Sequence, residues 1–382
     1  MDILFVNPPS PDGSIIIRDF NRSGRTSKER IIWPQTSLAY LAAMVPENLK
    51  IEILDCIAER MNWDKFLREL GAKKPRYVVS HVITSTAQND LRIFKEAKKI
   101  GAFTITMGPH VTELPQKTLE ENPDLDFIIL GEPEITFQEL IRNLEGGIYN
   151  FEKIKGLAYR FRGEIKINEK RDFIANLDEL PIPRHDLLPL NKYVFPFISS
   201  GFTFVLAERG CPYPCTFCRQ PIMWERKIRH RSPENIIKEL KFLKKLGLKE
   251  FIFHSDTFTI NKDIVMKLCQ IMLDENFNFR WSCNSRVDTV DEEMLRIMKK
   301  AGCYHIAYGV ESGSQEILDR AKRNMRVEQI EKAFRITREV GIETSAFIII
   351  GLPGETKETI KQTFQFIKEI KPDILQVSVV AP

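Results

Sequence analysis

Long apolar runs are missing from this 382-residue chain. No stretch approaches the ~18 continuous apolar residues of a membrane-spanning helix. Residues 1–6 have neither a basic start nor a cleavage site, so they do not read as a signal peptide. One-sided charge is also lacking. With 56 basic against 52 acidic residues the net charge is +4, too mild to point to nucleic acid or an anionic membrane surface. Cysteine is sparse, seven in all, and three of them fall together. That fits a metal site in a reducing compartment better than a disulfide framework, so the expected location is cytoplasmic. No G-x-G-x-x-G follows the first strand-like run, which argues against the usual dinucleotide fold. The length and the 43% apolar fraction leave room for two domains with large cores.

What is present centres on Ala207-Glu208-Arg209-Gly210-Cys211-Pro212-Tyr213-Pro214-Cys215-Thr216-Phe217-Cys218, with thiols spaced C-x3-C-x2-C. Residues 202–206, just upstream, form a β-branched and aromatic run that reads as a strand. The thiols therefore occupy a loop at the carboxyl end of a strand, where α/β folds place their chemistry. Pro212 and Pro214 fix φ and stiffen that loop. Thiolate is the soft ligand of zinc and of iron–sulfur clusters. A structural zinc site takes four protein ligands; here there are three, and His230 offers a fourth without finger-like spacing. The better fit is a 4Fe–4S cluster with three irons on Cys211, Cys215 and Cys218 and one iron open. Cys56, Cys269, Cys283 and Cys303 are scattered through apolar runs and read as small core residues.

Before residue 146, apolar runs at 2–7, 50–55, 77–82, 103–107 and 127–130 alternate with helical patterns. This predicts an α/β domain over 1–145, a doubly wound parallel sheet with its crevice at the strand ends. Thr36 or Ser37 is expected to cap the first helix. Residues 10–34 carry Arg18, Arg22, Arg25, Lys28 and Arg30 with no period and read as a long loop. Residues 146–199 read as a connector: a β-hairpin around Arg162-Gly163, a proline-rich tether at 176–183, and a lead-in from Tyr193 to Phe197. From 200 to 382, six strand runs separated by helices predict a partial (β/α)6 barrel whose carboxyl-end loops share one cavity. Its sixth strand has no following helix in the sequence. The chain is therefore expected to be truncated there and less soluble than a longer form, because an apolar edge stays uncovered.

The cysteine spacing, with Phe217 before the third thiol, resembles the radical SAM family. That resemblance implies an open iron chelating S-adenosylmethionine, whose reductive cleavage yields methionine and a 5′-deoxyadenosyl radical, with Phe217 beside the adenine. It also implies an electron donor such as a flavodoxin or ferredoxin. On the barrel loops, Ser255 and Asp256 resemble the motif holding the methionine amino group, Arg286 follows the third strand, and Glu311, followed by Ser312, resembles the ribose-hydroxyl acceptor. Gly351 and Gly354 resemble the loop that passes close to adenine.

Residues 1–145 resemble the cobalamin-binding, flavodoxin-like domain that precedes the barrel in one large subfamily. The matching pieces are Asn7-Pro8-Pro9, residues 34–42, Gly108-Pro109-His110 and Gly131-Glu132-Pro133-Glu134. Ser85 and Thr86 suit the groove for the nucleotide tail, and Gly108 the corrin platform. The Asp-x-His-x-x-Gly motif is absent, so base-off, histidine-off binding is expected, the upper face turned toward the cysteine loop. The resemblance implies a cobalamin-dependent methyltransferase acting on an unactivated carbon or phosphorus of a small-molecule or lipid substrate. The alternatives are a cyclase or oxidative enzyme of the same subfamily, and a cobalamin or redox sensor without catalysis. Methylthiotransferases carry a second cysteine triad in the N-terminal domain, where this chain has Cys56 alone.

Overall fold

The computed structural model describes residues 1–18, 24–196, 198 and 201–380. Arg22 of the basic stretch and Phe197 of the lead-in lie outside the described residues, as do Ala381 and Pro382. The chain forms two units. One comprises Met1–Ala175, Glu179–Thr203 and Ile222–Trp224; the other comprises Asn176–Asp178, Phe204–Pro221 and Glu225–Pro382.

The first unit is built on a seven-stranded sheet in the order Ile51–Asp55, Ile3–Asn7, Tyr77–His81, Phe103–Met107, Phe127–Ile129, Leu157–Phe161, Glu164–Ile167. The first five strands are parallel. Every residue of Ile3–Asn7 and Tyr77–His81 is buried, as expected for parallel strands covered on both faces, which read as unbroken apolar runs. On one face Leu4, Val6, Val78 and Ile128 pack with Phe66, Phe94 and Leu119 of the helices. The hairpin expected within a connector instead extends this sheet: Leu157–Phe161 lies antiparallel to Phe127–Ile129. A hairpin strand that buries Leu157, Ala158 and Tyr159 gains more from a sheet edge than from solvent.

Three other expectations are corrected. The helix Thr36–Ala43 starts after Gln35 with no side-chain cap, because Thr36 is already inside it and buried. The helical pattern between the runs at 77–82 and 103–107 is divided into two helices, Ala87–Asp90 and Arg92–Lys99. The long loop at 10–34 contains a short antiparallel pair, Ile16–Ile17 with Arg25–Thr26.

A six-stranded sheet, all of it but Phe202 and Thr203 in the second unit, runs in sequence order: Phe202–Val205, Glu250–Phe253, Arg280–Ser285, Cys303–Glu311, Glu343–Ile350, Ile374–Val379. Sequential order with a helix between successive strands is the partial (β/α)6 barrel. The helices are started by side-chain caps: Ser232, Asn261, Asp291 and Thr356 each accept a backbone N–H three residues on. Phe251, Phe253, Trp281, Ile306 and Tyr308 pack into the helix-side core, where Cys269, Cys283 and Cys303 are buried as small apolar residues. Leu375, Val377 and Val379 of the sixth strand are exposed. Among the described residues no helix is long and apolar enough to cross a membrane.

Candidate functional site

The cysteine loop is closed by a two-residue antiparallel pair, Glu208–Arg209 with Arg229–His230. Gly210 has φ 95°, and a Cβ there would lie 1.9 Å from the Lys227 carbonyl oxygen, so the turn requires glycine. Thr216 N donates to Ala321 O at 3.1 Å and Cys218 N to Cys215 O at 3.3 Å. Cys215 is buried, Cys211 half-buried and Cys218 exposed. Cys211 Sγ lies 3.9 Å from Thr257 Oγ1. Arg323 Nη1 donates to Cys215 Sγ at 3.2 Å. Between these thiols Tyr213 lies under the Arg286 guanidinium, 3.5 Å from the ring centroid. Arg286 also forks onto Asp288, both bonds 2.9 Å, and donates to the Arg323 carbonyl at 2.8 Å. Arg286, expected as a cofactor contact, is thus first a brace for the loop. Phe217 packs against Ile317, Ala321 and Leu352, which brings the loop of Gly351 and Gly354 to the cysteines.

The second-strand loop is tied to both ends of the cysteine loop. Ser255 Oγ accepts from Ala207 N at 3.3 Å, Gln220 Nε2 donates to Asp256 Oδ2 at 2.7 Å, and Thr257 N donates to Glu208 Oε1 at 3.1 Å. Burial pushes the Glu208 carboxyl up to about 8, against the bonds from Ser255 and Thr257. Glu311 ends the fourth strand with φ 65°, a left-handed conformation uncommon outside glycine. Burial raises its carboxyl, while Arg323 and Arg286 act in the opposite direction. Ser312 is occupied as a turn former: its hydroxyl lies 3.0 Å from Thr363 Oγ1 and accepts from Ser314 N at 3.2 Å. Gly351 N donates to Glu355 Oε2 at 2.5 Å, and both Gly351 and Gly354 have positive φ.

Three buried polar atoms around this loop, Arg323 Nε, Arg286 Nη1 and Gln220 Oε1, have no hydrogen-bond partner among the described residues. Two cationic donors and soft thiols fit an anionic iron–sulfur group better than an apolar ligand. Glu208, Gln220 and Arg323 were not singled out from the sequence. Glu208 stands inside the cysteine motif, and its burial was the unread signal; Arg323 is 108 residues from Cys215 and had none.

In the first unit the predicted residues sit at adjacent strand ends. Asn7 Nδ2 donates to Asp55 Oδ1 at 2.7 Å, and Asn7 Oδ1 and Pro8 O each accept from Arg18 Nη1 at 2.9 Å. Arg18 forks onto Asp90 at 2.9 and 2.7 Å, with neither side chain exposed. Asn7 and Pro8 therefore belong to a buried structural node, which also fixes Thr86 through its bond to Asp90 at 2.5 Å. Ser85 is exposed and donates to Gly24 O at 3.0 Å. Gly108 has φ 121°, and a Cβ would lie 2.5 Å from Val82 O; it precedes the helix Pro109–Glu113. His110 Nδ1 lies 3.4 Å from Thr84 Oγ1, and burial lowers the imidazole's affinity for a proton. Gly131 N donates to Thr112 Oγ1 at 3.2 Å, while the buried Glu132 accepts from Ile174 N at 2.8 Å. Ser85 and the half-buried His110 remain the predicted side chains most open to a ligand; Glu132 and Asn7 hold structure.

A flavodoxin-like sheet followed by a partial barrel with a C-x3-C-x2-C loop defines a two-part cofactor enzyme. The Radical SAM superfamily model matches residues 207–367 and the B12 binding domain model residues 28–141. An uncharacterized methyltransferase, PH0819 of Pyrococcus horikoshii, is 34% identical over 100% of this chain and 81% of its own length. An anaerobic magnesium-protoporphyrin IX monomethyl ester cyclase of Rubrivivax gelatinosus is 27% identical over 100% of this chain and 68% of its own length. The radical S-adenosylmethionine methyltransferase TsrM from Kitasatospora setae shares the fold, with a TM-score of 0.78, 17% identity, and coverage of 99% of this chain and 72% of that one. The chain belongs to the cobalamin-binding radical SAM family. It is an enzyme of that family, whose cofactors are a 4Fe–4S cluster, S-adenosylmethionine and cobalamin.

Proposed function

We propose that this enzyme is a methyltransferase acting on an unactivated carbon or phosphorus of a small-molecule or lipid substrate. The observation that carries the reading is the similarity to PH0819 along the whole of this chain, through both domains. When bound, the family's cofactors supply one-electron cleavage of S-adenosylmethionine and a carrier for the methyl group.

The chain's own groups take distinct parts. Cys211, Cys215 and Cys218 hold three irons as thiolates, and burial, which raises the Cys211 thiol, makes the metal itself responsible for deprotonation there. Asp256, fixed by Gln220, accepts from the ammonium of the cosubstrate. Glu311, buried at the fourth strand end, accepts from the ribose hydroxyls. Phe217 and Leu352 give adenine an apolar flank and keep water from the cysteine loop. In the first unit Ser85, Gly108 and His110 would line the groove that holds cobalamin. A reduced flavodoxin or ferredoxin is the electron donor.

The test is anaerobic incubation with methyl-labelled S-adenosylmethionine and cell extract. Label in a new product supports methyl transfer. 5′-Deoxyadenosine with an unlabelled, oxidised or cyclised product would sink it and favour the second reading, a cyclase, which the relative from Rubrivivax gelatinosus supports.

A further inference from the structure

Arg323 lies beyond the helix Gln315–Arg320 and touches the site at several points at once. Its Nη1 donates to Cys215 Sγ at 3.2 Å and its Nη2 to Gly309 O at 2.6 Å, with Glu311 Oε1 3.6 Å away. The side chain is 7% exposed. Gly309 leaves room for this approach: a Cβ there would lie 2.9 Å from Arg323 Nη2 and 2.5 Å from Glu311 Oε1. Arg286 holds the Arg323 backbone from behind, while its guanidinium covers Tyr213 of the cysteine loop. A guanidinium keeps its charge when buried, and hydrogen bonds to the sulfurs are among the levers that set a cluster's reduction potential.

We propose that Arg323 is a positioning residue for electron delivery, its N–H···S bond to Cys215 making the cluster easier to reduce. Reduction by one electron from a flavodoxin- or ferredoxin-class donor adds negative charge that the irons share with the ligand sulfurs. A cation and a donor on the most buried of the three thiolates stabilise that added charge more than the oxidised state. The low dielectric of the site enlarges the difference. No bond forms or breaks at Arg323, and no proton leaves it.

The inference rests on the cluster reading, and the two fail separately. Wild-type protein reconstituted anaerobically with iron and sulfide that holds no four-iron cluster removes the reading itself. With the cluster present, Arg323→Gln and Arg323→Lys are compared with wild type by redox titration followed by electron paramagnetic resonance. The ratio of reduced to oxidised cluster at a fixed potential should fall about tenfold in Arg323→Gln, a shift of about 59 mV to more negative potential for one electron. Arg323→Lys should fall between the two. A variant with full iron and an unshifted midpoint overturns the proposal. If neither variant takes up iron, wild-type protein carrying 15N-arginine decides: a 15N hyperfine coupling to the reduced cluster supports the N–H···S bond, and its absence overturns it.

Discussion

Arg18 and Arg323 are both buried arginines at strand ends, and they are satisfied differently. Arg18 meets a complete set of protein partners, forking onto Asp90 and donating to Asn7 and Pro8. Arg323 donates to a thiol sulfur and one carbonyl, holds Glu311 only at 3.6 Å, and has an Nε without a partner among the described residues. A closed network of this kind belongs to stability, because every charge is matched inside the protein. The Arg323 network has fewer acceptors, and one of them is the soft sulfur of Cys215. Losing Arg18 should therefore cost folding, and losing Arg323 should cost electron chemistry.

The sharpest way to break that contrast is at the thiols themselves. Cys215→Ala should lower iron from about four per chain to background, while circular dichroism shows the first unit still folded. Full iron content in that variant would remove Cys215 from the ligand set. Next in size is Arg18→Met, which strands the Asp90 carboxylate in the interior. It should destabilise the protein by roughly 3–5 kcal/mol in chemical denaturation. A loss within about 0.5 kcal/mol, typical of surface substitutions, would show that the closed network is not structural. A smaller effect is expected from hydroxocobalamin titration of the full chain. The absorption spectrum should take the base-off form, and His110→Ala should weaken affinity without changing cobalt ligation. A spectral change in ligation would make His110 a cobalt ligand.

A pH-dependent effect concerns Glu208. Its carboxyl is pushed up to about 8 in the fold by burial, whereas an unfolded glutamate titrates near 4.3. Between those values the folded state binds more protons than the unfolded one. The contribution of the protonated carboxyl is complete below the unfolded value and is lost as pH rises through the folded one. Metal-free protein should lose stability from about pH 5 to pH 8 in urea titrations, and Glu208→Gln should flatten that slope. An unchanged slope would place the titration elsewhere.

Much of the fold was legible because parallel strands covered on both faces leave unbroken apolar runs, as at Ile3–Asn7 and Tyr77–His81. Proline at the first helical position after Ser232 is a start signal of the helix Pro233–Lys245. The hairpin Leu157–Phe161 was seen as a hairpin, but its pairing was not, since local pattern does not say which sheet edge a strand joins. At the site, spacing alone singled out the three thiols as expected ligands. It missed Arg18 and Arg323 for one reason: a buried charge looks like a solvated one until its partner is found, and the partners are 72 and 108 residues away. Ser312 and Asn7 were read as ligand contacts, yet their side chains are occupied by Thr363 and by Asp55 and Arg18.

The chain's route through its two units has a practical consequence. Residues 179–203 return to the first unit after residues 176–178 have belonged to the second. On return they are stitched in: Arg184 N donates to Ala39 O at 3.1 Å, Val194 bridges to Ile32, and Tyr193 Oη reaches Asp55 Oδ2 at 3.1 Å. A gene cut after codon 145 would delete the hairpin strands and this returning strap together. It would leave Asp55 without its tyrosine and open apolar surface now covered by Leu180, Leu188 and Tyr193. Dissection of this enzyme after residue 145 should thus fail, and cobalamin binding is best measured on the intact polypeptide.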